Sequence, residues 1–148
     1  MNILEELKKD HETVKELLEK ATSGKANGDA SELIKEIKAE LIAHAKAEQK
    51  VVYQKLKKNG NSNEDGKEFA LEGTVEHELV EELVNQLARS RAKDSEEWHA
   101  RCVVLKEMVE HHVEEEEGEA FPIIRSEFNE AELNRMGEEF EREKEKLK

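Results

Sequence analysis

The apolar residues of this chain recur at alternating spacings of three and four along most of its length. This spacing places them on one face of an α-helix, which has about 3.6 residues per turn. The one proline is Pro122, so little in the sequence interrupts helix formation. Hydrophobic residues make up 36% and charged residues 41%, as is typical of helices with one buried and one solvated face. The sequence therefore predicts an all-α fold.

Interruptions of the apolar pattern predict four long helices and one shorter helix. The predicted segments are about Asn2 to Thr22, ending at Ser23-Gly24; Ser31 to the turn that starts at Asn59; a run after Gly66 that ends at Ala92; Ser95 to an end or kink at about Phe121; and Glu130 to about Leu147. Ser31, Ser95 and Asn129 are predicted N-caps, because their side-chain oxygens can accept from free backbone amides.

The connections between these segments are short, which favours antiparallel neighbours. We therefore expect an up-down-up-down four-helix bundle over about residues 2–121, with an extra C-terminal helix over about 130–147. A length of 148 residues suits one domain, so we expect residues 1–148 to form a single domain.

Six polar residues lie on the inward stripes, where Leu or Val would otherwise be expected. They are His11, His44, Glu48, His77, His112 and Glu116. The second and fourth helices each carry a His-x-x-x-Glu pair, and the first and third each carry a lone His, so the second half of the chain repeats the first. A buried polar group without a partner costs roughly 1–3 kcal/mol. Burying six of them without a metal would sacrifice most of a core layer, so the pattern predicts a metal site.

Four imidazoles and two carboxylates suit Fe, Mn or Zn better than Ca or Mg, which prefer oxygen ligands. The number of ligands indicates two ions. If Glu48 and Glu116 both bridge the ions, together with an oxo or hydroxo group, each ion keeps one open or water-filled position. That position could take a small ligand.

Three other residues compete as ligands. His111 also has an acid at the fourth position, Glu115, but lies one residue off the inward stripe. His99 is expected near the surface at the start of the fourth helix. Glu81 could complete the shell near His77, although acid-rich helices usually expose such residues.

Aromatic and cysteine residues near the predicted site have structural interpretations. Tyr53 and Phe121 each follow a predicted ligand Glu by five residues and are expected to pack over the site. Hydrogen bonding or electron donation by Tyr53 stays open. Cys102 and Trp98 are expected in the core.

Charge and composition exclude several classes of partner. With 24 basic and 37 acidic residues the net charge is −13, which repels nucleic acids and anionic membranes. The single Cys102 cannot form an internal disulfide, and no apolar stretch approaches the roughly 20 residues of a membrane span. We expect a soluble, cytoplasmic protein that binds neither nucleic acid nor membrane. The oligomeric state is not predicted.

The order His, His-x-x-x-Glu, His, His-x-x-x-Glu on four successive helices resembles the hemerythrin-like, or HHE cation-binding, family. Residues 7–12 are similar to the opening helix of that family and residues 112–122 to its fourth. The resemblance covers nearly the whole chain. It implies a non-haem, oxo- or hydroxo-bridged di-iron centre held by the same six residues, with Mn or Zn as possible substitutes.

Two departures from oxygen-carrying hemerythrins bear on function. Those proteins place a further His four residues before the third-helix ligand, where this chain has Gly73, and their last carboxylate aligns with Glu117, whereas helical phase favours Glu116. A missing imidazole would leave both ions open to water or peroxide. Residues 96–98 and the terminal helix resemble short mycobacterial hemerythrin-like proteins, which implies catalase-type activity. Those proteins have a tyrosine pair where this chain has Val52-Tyr53.

The sequence therefore predicts a di-iron protein that decomposes peroxide in oxidative stress defence. Reversible binding or sensing of dioxygen or nitric oxide, iron storage without turnover, and a metal-free bundle stay open as alternatives.

Overall fold

A computed structural model describes residues 1–23, 29–58 and 64–147 of the chain. The helices are α1 Ile3–Thr22, α2 Ala30–Glu48, α3 Gln54–Lys58, α4 Glu64–Arg89, α5 Glu96–Glu115, α6 Phe121–Glu127 and α7 Glu130–Lys146. Two wider π-helical turns, Gln49–Tyr53 and Glu116–Ala120, join α2 to α3 and α5 to α6. Because these turns continue the winding, α2 with α3 and α5 with α6 act as single long helices.

The four long helices form a closed ring of neighbours. α1 packs on α2 and α5, and α4 packs on the same two helices from the other side. α7 lies against α1 and α2. The predicted all-α bundle with an extra C-terminal helix is confirmed. No helix in the described part of the chain is both long enough and apolar enough to cross a membrane.

Helix starts follow the predicted caps with two corrections. Ser95 accepts a hydrogen bond from the amide of Trp98, and Asn129 forms a reciprocal capping box with Glu132. The predicted cap at Ser31 is wrong, because α2 begins one residue earlier at Ala30, a strong helix former.

The third long helix also starts earlier than predicted, at Glu64 and not after Gly66. Acidic residues in a first turn interact favourably with the helix dipole, and here they are Glu64 and Asp65. The predicted turns at Gly24 and at residues 59–63 lie outside the described residues.

Pro122 does not end the fourth long helix. It lies in the first turn of α6, where its missing amide hydrogen is not needed. The predicted end or kink at about Phe121 is instead a change of winding, because the second π-helical turn ends there and α6 continues to Glu127.

The core consists of two apolar clusters. The terminal-helix cluster includes Leu7, Val51, Leu56, Phe121, Met136 and Phe140. The loop-end cluster includes Val14, Leu18, Ile34, Leu87, Trp98, Cys102 and Leu105. His11 lies between Leu7 of one cluster and Val14 of the other, so a polar layer separates two dry ends of the bundle.

Candidate metal centre

All six predicted ligands meet in this polar layer, and each is at most 8% exposed. Their donor atoms form two groups, and within each group the atoms lie within 4.8 Å of one another. The first half-site is His11, His44 and Glu116, and the second half-site is Glu48, His77 and His112. Each half-site takes both histidines from one helical hairpin and its carboxylate from the other. The arrangement therefore ties the two hairpins together.

The two π-helical turns begin beside the two predicted carboxylate ligands. Glu48 is the last residue of α2, and Glu116 is the first residue of the second turn. A π-helical turn adds a residue to the helical repeat and recurs at functional sites. It also sets the phase of Tyr53 and Phe121, which close the layer from the side of the terminal-helix cluster.

Several donor atoms in this layer are buried without a hydrogen-bond partner among the described residues. They are His11 Nε2, His77 Nε2 and both carboxylate oxygens of Glu48 and of Glu116. The closest approaches between the carboxylates and the imidazoles are 3.1 Å, from Glu48 to His77 and from Glu116 to His112. Native proteins seldom leave so many buried polar atoms unpaired. Metal ions between these atoms would satisfy all of them, so the residues fit the pair of ions predicted from the sequence.

The outer nitrogen of every histidine in the layer has a polar partner. In the first half-site, Nδ1 of His11 lies 2.7 Å from a carboxylate oxygen of Glu117, and Nδ1 of His44 lies 2.8 Å from Asp10. When Nδ1 donates to a carboxylate, Nε2 is left unprotonated and faces inward. Such contacts fix the tautomer and the ring orientation of a metal-binding histidine.

The second half-site repeats these contacts with one change. Nδ1 of His112 lies 2.7 Å from Glu76, but Nδ1 of His77 lies 3.1 Å from the side-chain amide of Gln49. Because the two ends of an amide exchange by a flip, its oxygen can accept from Nδ1 and leave Nε2 for a metal. An amide carries no net charge, so His77 has a weaker acceptor than the other three histidines.

The sequence analysis did not find three of these outer partners, although the chain repeat contains the signal. Asp10 and Glu76 each precede a lone histidine, and Gln49 and Glu117 each follow a predicted ligand Glu. Residues at the same offset from equivalent ligands have the same task in both halves. Glu117, which the sequence analysis weighed as a ligand, contacts the outer nitrogen of His11 instead.

Aromatic rings cover the lone histidines. Tyr53 stacks on His77 with ring centres 5.3 Å apart, and Phe121 stacks on His11 at 6.4 Å. The hydroxyl of Tyr53 lies 3.3 Å from Nε2 of His112. A Cβ atom at Gly73 would collide with the Tyr53 ring, so the tyrosine fills the space beside that glycine. Tyr53 both packs over the site and presents a hydroxyl to it.

The two central carboxylates have opposite pKa shifts. Burial and the neighbouring Glu48 raise the pKa of Glu116 to about 8. Burial would also raise the pKa of Glu48, but a hydrogen bond from Glu116 and the surrounding imidazoles hold it well below its ordinary value. In the metal-free protein the two carboxylates therefore share one proton, which Glu116 carries.

The histidines of each half-site also diverge. Burial would lower the pKa of His44, but Glu48 and Asp10 raise it to about 10. Burial is outweighed in the same way at His112, whose pKa is raised well above its ordinary value by Glu116, Glu48 and Glu76. Burial lowers the pKa of His11 and of His77. Without metal, each half-site therefore has one protonated and one neutral imidazole.

A cavity of about 40 Å³ adjoins the layer on the side of the loop-end cluster, and all four site histidines line it. One apolar residue from each long helix, one turn from its histidine, supplies the walls: Val14, Leu41, Val80 and Val109. A single water needs roughly 10–15 Å³ of such volume. The cavity therefore has room for a molecule the size of dioxygen or hydrogen peroxide, in contact with both half-sites.

The competing ligands lie outside this layer. The side chain of His111 is 64% exposed and pairs with Glu115, with Glu76 close to both. His99 is exposed, and the exposed Glu81 reaches only the rim of the cavity.

Cys102 is buried in the loop-end cluster, as predicted. Burial raises the pKa of its thiol to about 11, so it is not a thiolate at neutral pH.

Comparison with known proteins gives one match. The family model described as the hemerythrin HHE cation-binding domain matches residues 2–124. No curated protein and no solved structure gives a significant match. The match spans α1 to α5 and both π-helical turns, and it stops before α7. The chain therefore belongs to the hemerythrin HHE cation-binding domain family.

Proposed function

We propose that this protein binds two iron ions at the paired half-sites and decomposes hydrogen peroxide. The observation that carries the proposal is the small cavity lined by histidines from both half-sites. A peroxide molecule in this cavity would reach both ions together. A single accessible ion would instead suit reversible binding of dioxygen at one point.

A bound iron pair would supply the redox chemistry by which one peroxide is reduced to water and a second is oxidised to dioxygen. The six buried residues would hold the ions, and the partners of the outer nitrogens would keep every Nε2 turned inward. The four apolar wall residues limit the water that enters the cavity. Each of these tasks belongs to side chains that the fold already holds in place.

Tyr53 supplies a proton-bearing group at the second half-site. Burial, with the negative charges of Glu48 and Glu116, raises the pKa of its hydroxyl well above the ordinary value. The phenol therefore keeps its proton and can donate a hydrogen bond to an oxygen atom at the centre. Its equivalent in the other half, Phe121, has no such group.

Oxygen evolution from hydrogen peroxide tests the proposal. Iron-loaded wild-type protein should release dioxygen, and His112→Ala should fall to the background rate of free iron. His99→Ala is the matched control, because His99 is exposed and lies outside the layer. Equal, background-level rates in wild type and His112→Ala would reject peroxide decomposition.

The same preparations separate the alternatives. A spectrum that changes reversibly when dioxygen or nitric oxide is added and removed, without turnover of peroxide, would indicate binding or sensing. Many more than two ions per chain would indicate storage. Elemental analysis that finds far fewer than two ions after anaerobic iron loading would support a metal-free bundle.

A further inference from the structure

The C-terminal helix α7 contacts the metal centre although it lies beyond residues 2–124, the part of the chain that the family model matches. Lys144, near the end of α7, forms an ion pair with the buried carboxylate of Asp10. The other oxygen of that carboxylate lies 2.8 Å from Nδ1 of His44. The contacts form one chain from α7, through α1, to a histidine of the first half-site.

The surroundings of Lys144 show that this ion pair is held in place. Its side chain is 14% exposed, and that of Asp10 is 5% exposed. Its ammonium lies 5.6 Å from the centre of the Phe140 ring, and the edge of that ring contacts His44, also at 5.6 Å between centres. Exposed ion pairs contribute little, but a largely buried pair beside an aromatic face is less screened.

The docking of α7 does not depend on Lys144 alone. Phe140 and Met136 are buried in the terminal-helix cluster. Gly137 lies so close to the backbone of Met1 and Asn2 that any side chain there would collide with it. Lys55 pairs with Glu139 at 3.1 Å. A substitution at Lys144 should therefore leave α7 in place and change only the contact with Asp10.

We infer that Lys144 is a positioning residue of the metal centre, which acts on His44 through Asp10 and so makes α7 part of the site. The positive charge of Lys144 draws electron density from the Asp10 carboxylate. It thereby weakens the pull of that carboxylate on the Nδ1 proton of His44 and makes the imidazole a weaker electron donor to a bound ion. Among the described residues, Lys144 is the one cation in an ion pair with an outer partner of the four histidines.

The reduction potential of the iron-loaded protein tests this inference, which depends on the proposed iron pair. Lys144→Met should lower the potential, because Asp10 then makes His44 a stronger donor and favours the oxidised ion. Asp10→Asn should raise it, because the negative charge is lost. Lys144→Arg should keep the wild-type value, and so should the matched control Lys146→Met, two residues away with a side chain 68% exposed.

Opposite shifts in Lys144→Met and Asp10→Asn support the inference, because general loosening of the site would not reverse sign between them. Equal potentials in wild type and Lys144→Met would overturn it.

Cobalt(II) serves as a second probe that needs no iron and no oxygen chemistry. The visible spectrum of the cobalt-loaded protein should change in Lys144→Met and stay as in wild type in Lys144→Arg and Lys146→Met. Should wild type take up cobalt but no iron, the proposed function would fail while this spectrum still decides the role of Lys144. A cobalt spectrum unchanged by Lys144→Met would overturn that role.

Discussion

The two half-sites of the metal centre are built on one plan and differ in three places. The first half-site has carboxylate partners on both histidines, Phe121 over its lone histidine, and Lys144 behind Asp10. The second has one carboxylate partner, the neutral amide of Gln49, and a tyrosine over its lone histidine. A duplicated plan fixes where donor atoms lie, and single substitutions within it set how the two ions differ. We expect the second half-site to hold its ion less tightly and to face the reacting oxygen atoms.

Removal of one ligand from each half-site should have the largest effect. His44→Ala and His112→Ala remove equivalent histidines, so each should lower the metal content from roughly two ions per chain to roughly one. Elemental analysis after anaerobic iron loading measures this. Loss of both ions in either variant would show that the half-sites do not bind metal independently.

Acidity should weaken metal binding at both half-sites. The raised pKa values of His44, His112 and Glu116 mean that the metal-free site holds protons at neutral pH that a metal must displace. Each displaced proton makes the affinity fall about tenfold per pH unit of acidification. Zinc titrations at pH 6 and pH 8 should show the weaker affinity at pH 6. Equal affinities at the two pH values would contradict this proton displacement.

The metal-free protein should have the opposite pH preference at His44. Its pKa in the folded state is about 10, above the ordinary value of 6.5. The stability that its protonation contributes is therefore fully present below pH 6.5 and is lost as the pH rises through 10. Thermal unfolding of metal-free protein across this range measures the loss, and His44→Ala should be less sensitive to pH.

Exchange of the outer partners should reverse the inequality between the half-sites. Gln49→Glu gives His77 a carboxylate partner and should strengthen the second half-site, whereas Glu117→Gln should weaken the first. Changes of about 10-fold in metal affinity are expected for such outer contacts. Competition with a chelator of known affinity measures both. Shifts in the same direction would contradict the role given to the charge of the partner.

The space beside Gly73 offers a smaller test of the tyrosine. Gly73→Ala would collide with the Tyr53 ring and should destabilise the protein by about 1–3 kcal/mol, despite the better helix propensity of alanine. Gly118, in the second π-helical turn, has open space at the same distance and is the control. Gly118→Ala should be neutral or stabilising by up to about 1 kcal/mol. Denaturant unfolding of both variants would reveal equal effects if Tyr53 moved freely.

The helices and the inward position of the six candidate ligands could be predicted because both depend on local spacing. His44 and Glu48 share a face wherever α2 is placed, since they lie one turn apart. The errors concern helix starts, where Ser31 competed with Asp29 and Ala30 within one turn. The ligand roles of the six residues, the cytoplasmic location and the small oxygen species as partners stay predictions.

The amino-acid sequence by itself determined an all-helical chain with a repeated set of imidazoles and carboxylates on its buried faces, because helical periodicity depends on neighbours along the chain. Only the tertiary structure decided which atoms meet across helices. Tyr53 fills the space at Gly73, Gln49 takes the place of a carboxylate, and Lys144 reaches Asp10 from a helix far along the chain. These contacts depend on the rotation and axial position of each packed helix, which no local spacing specifies.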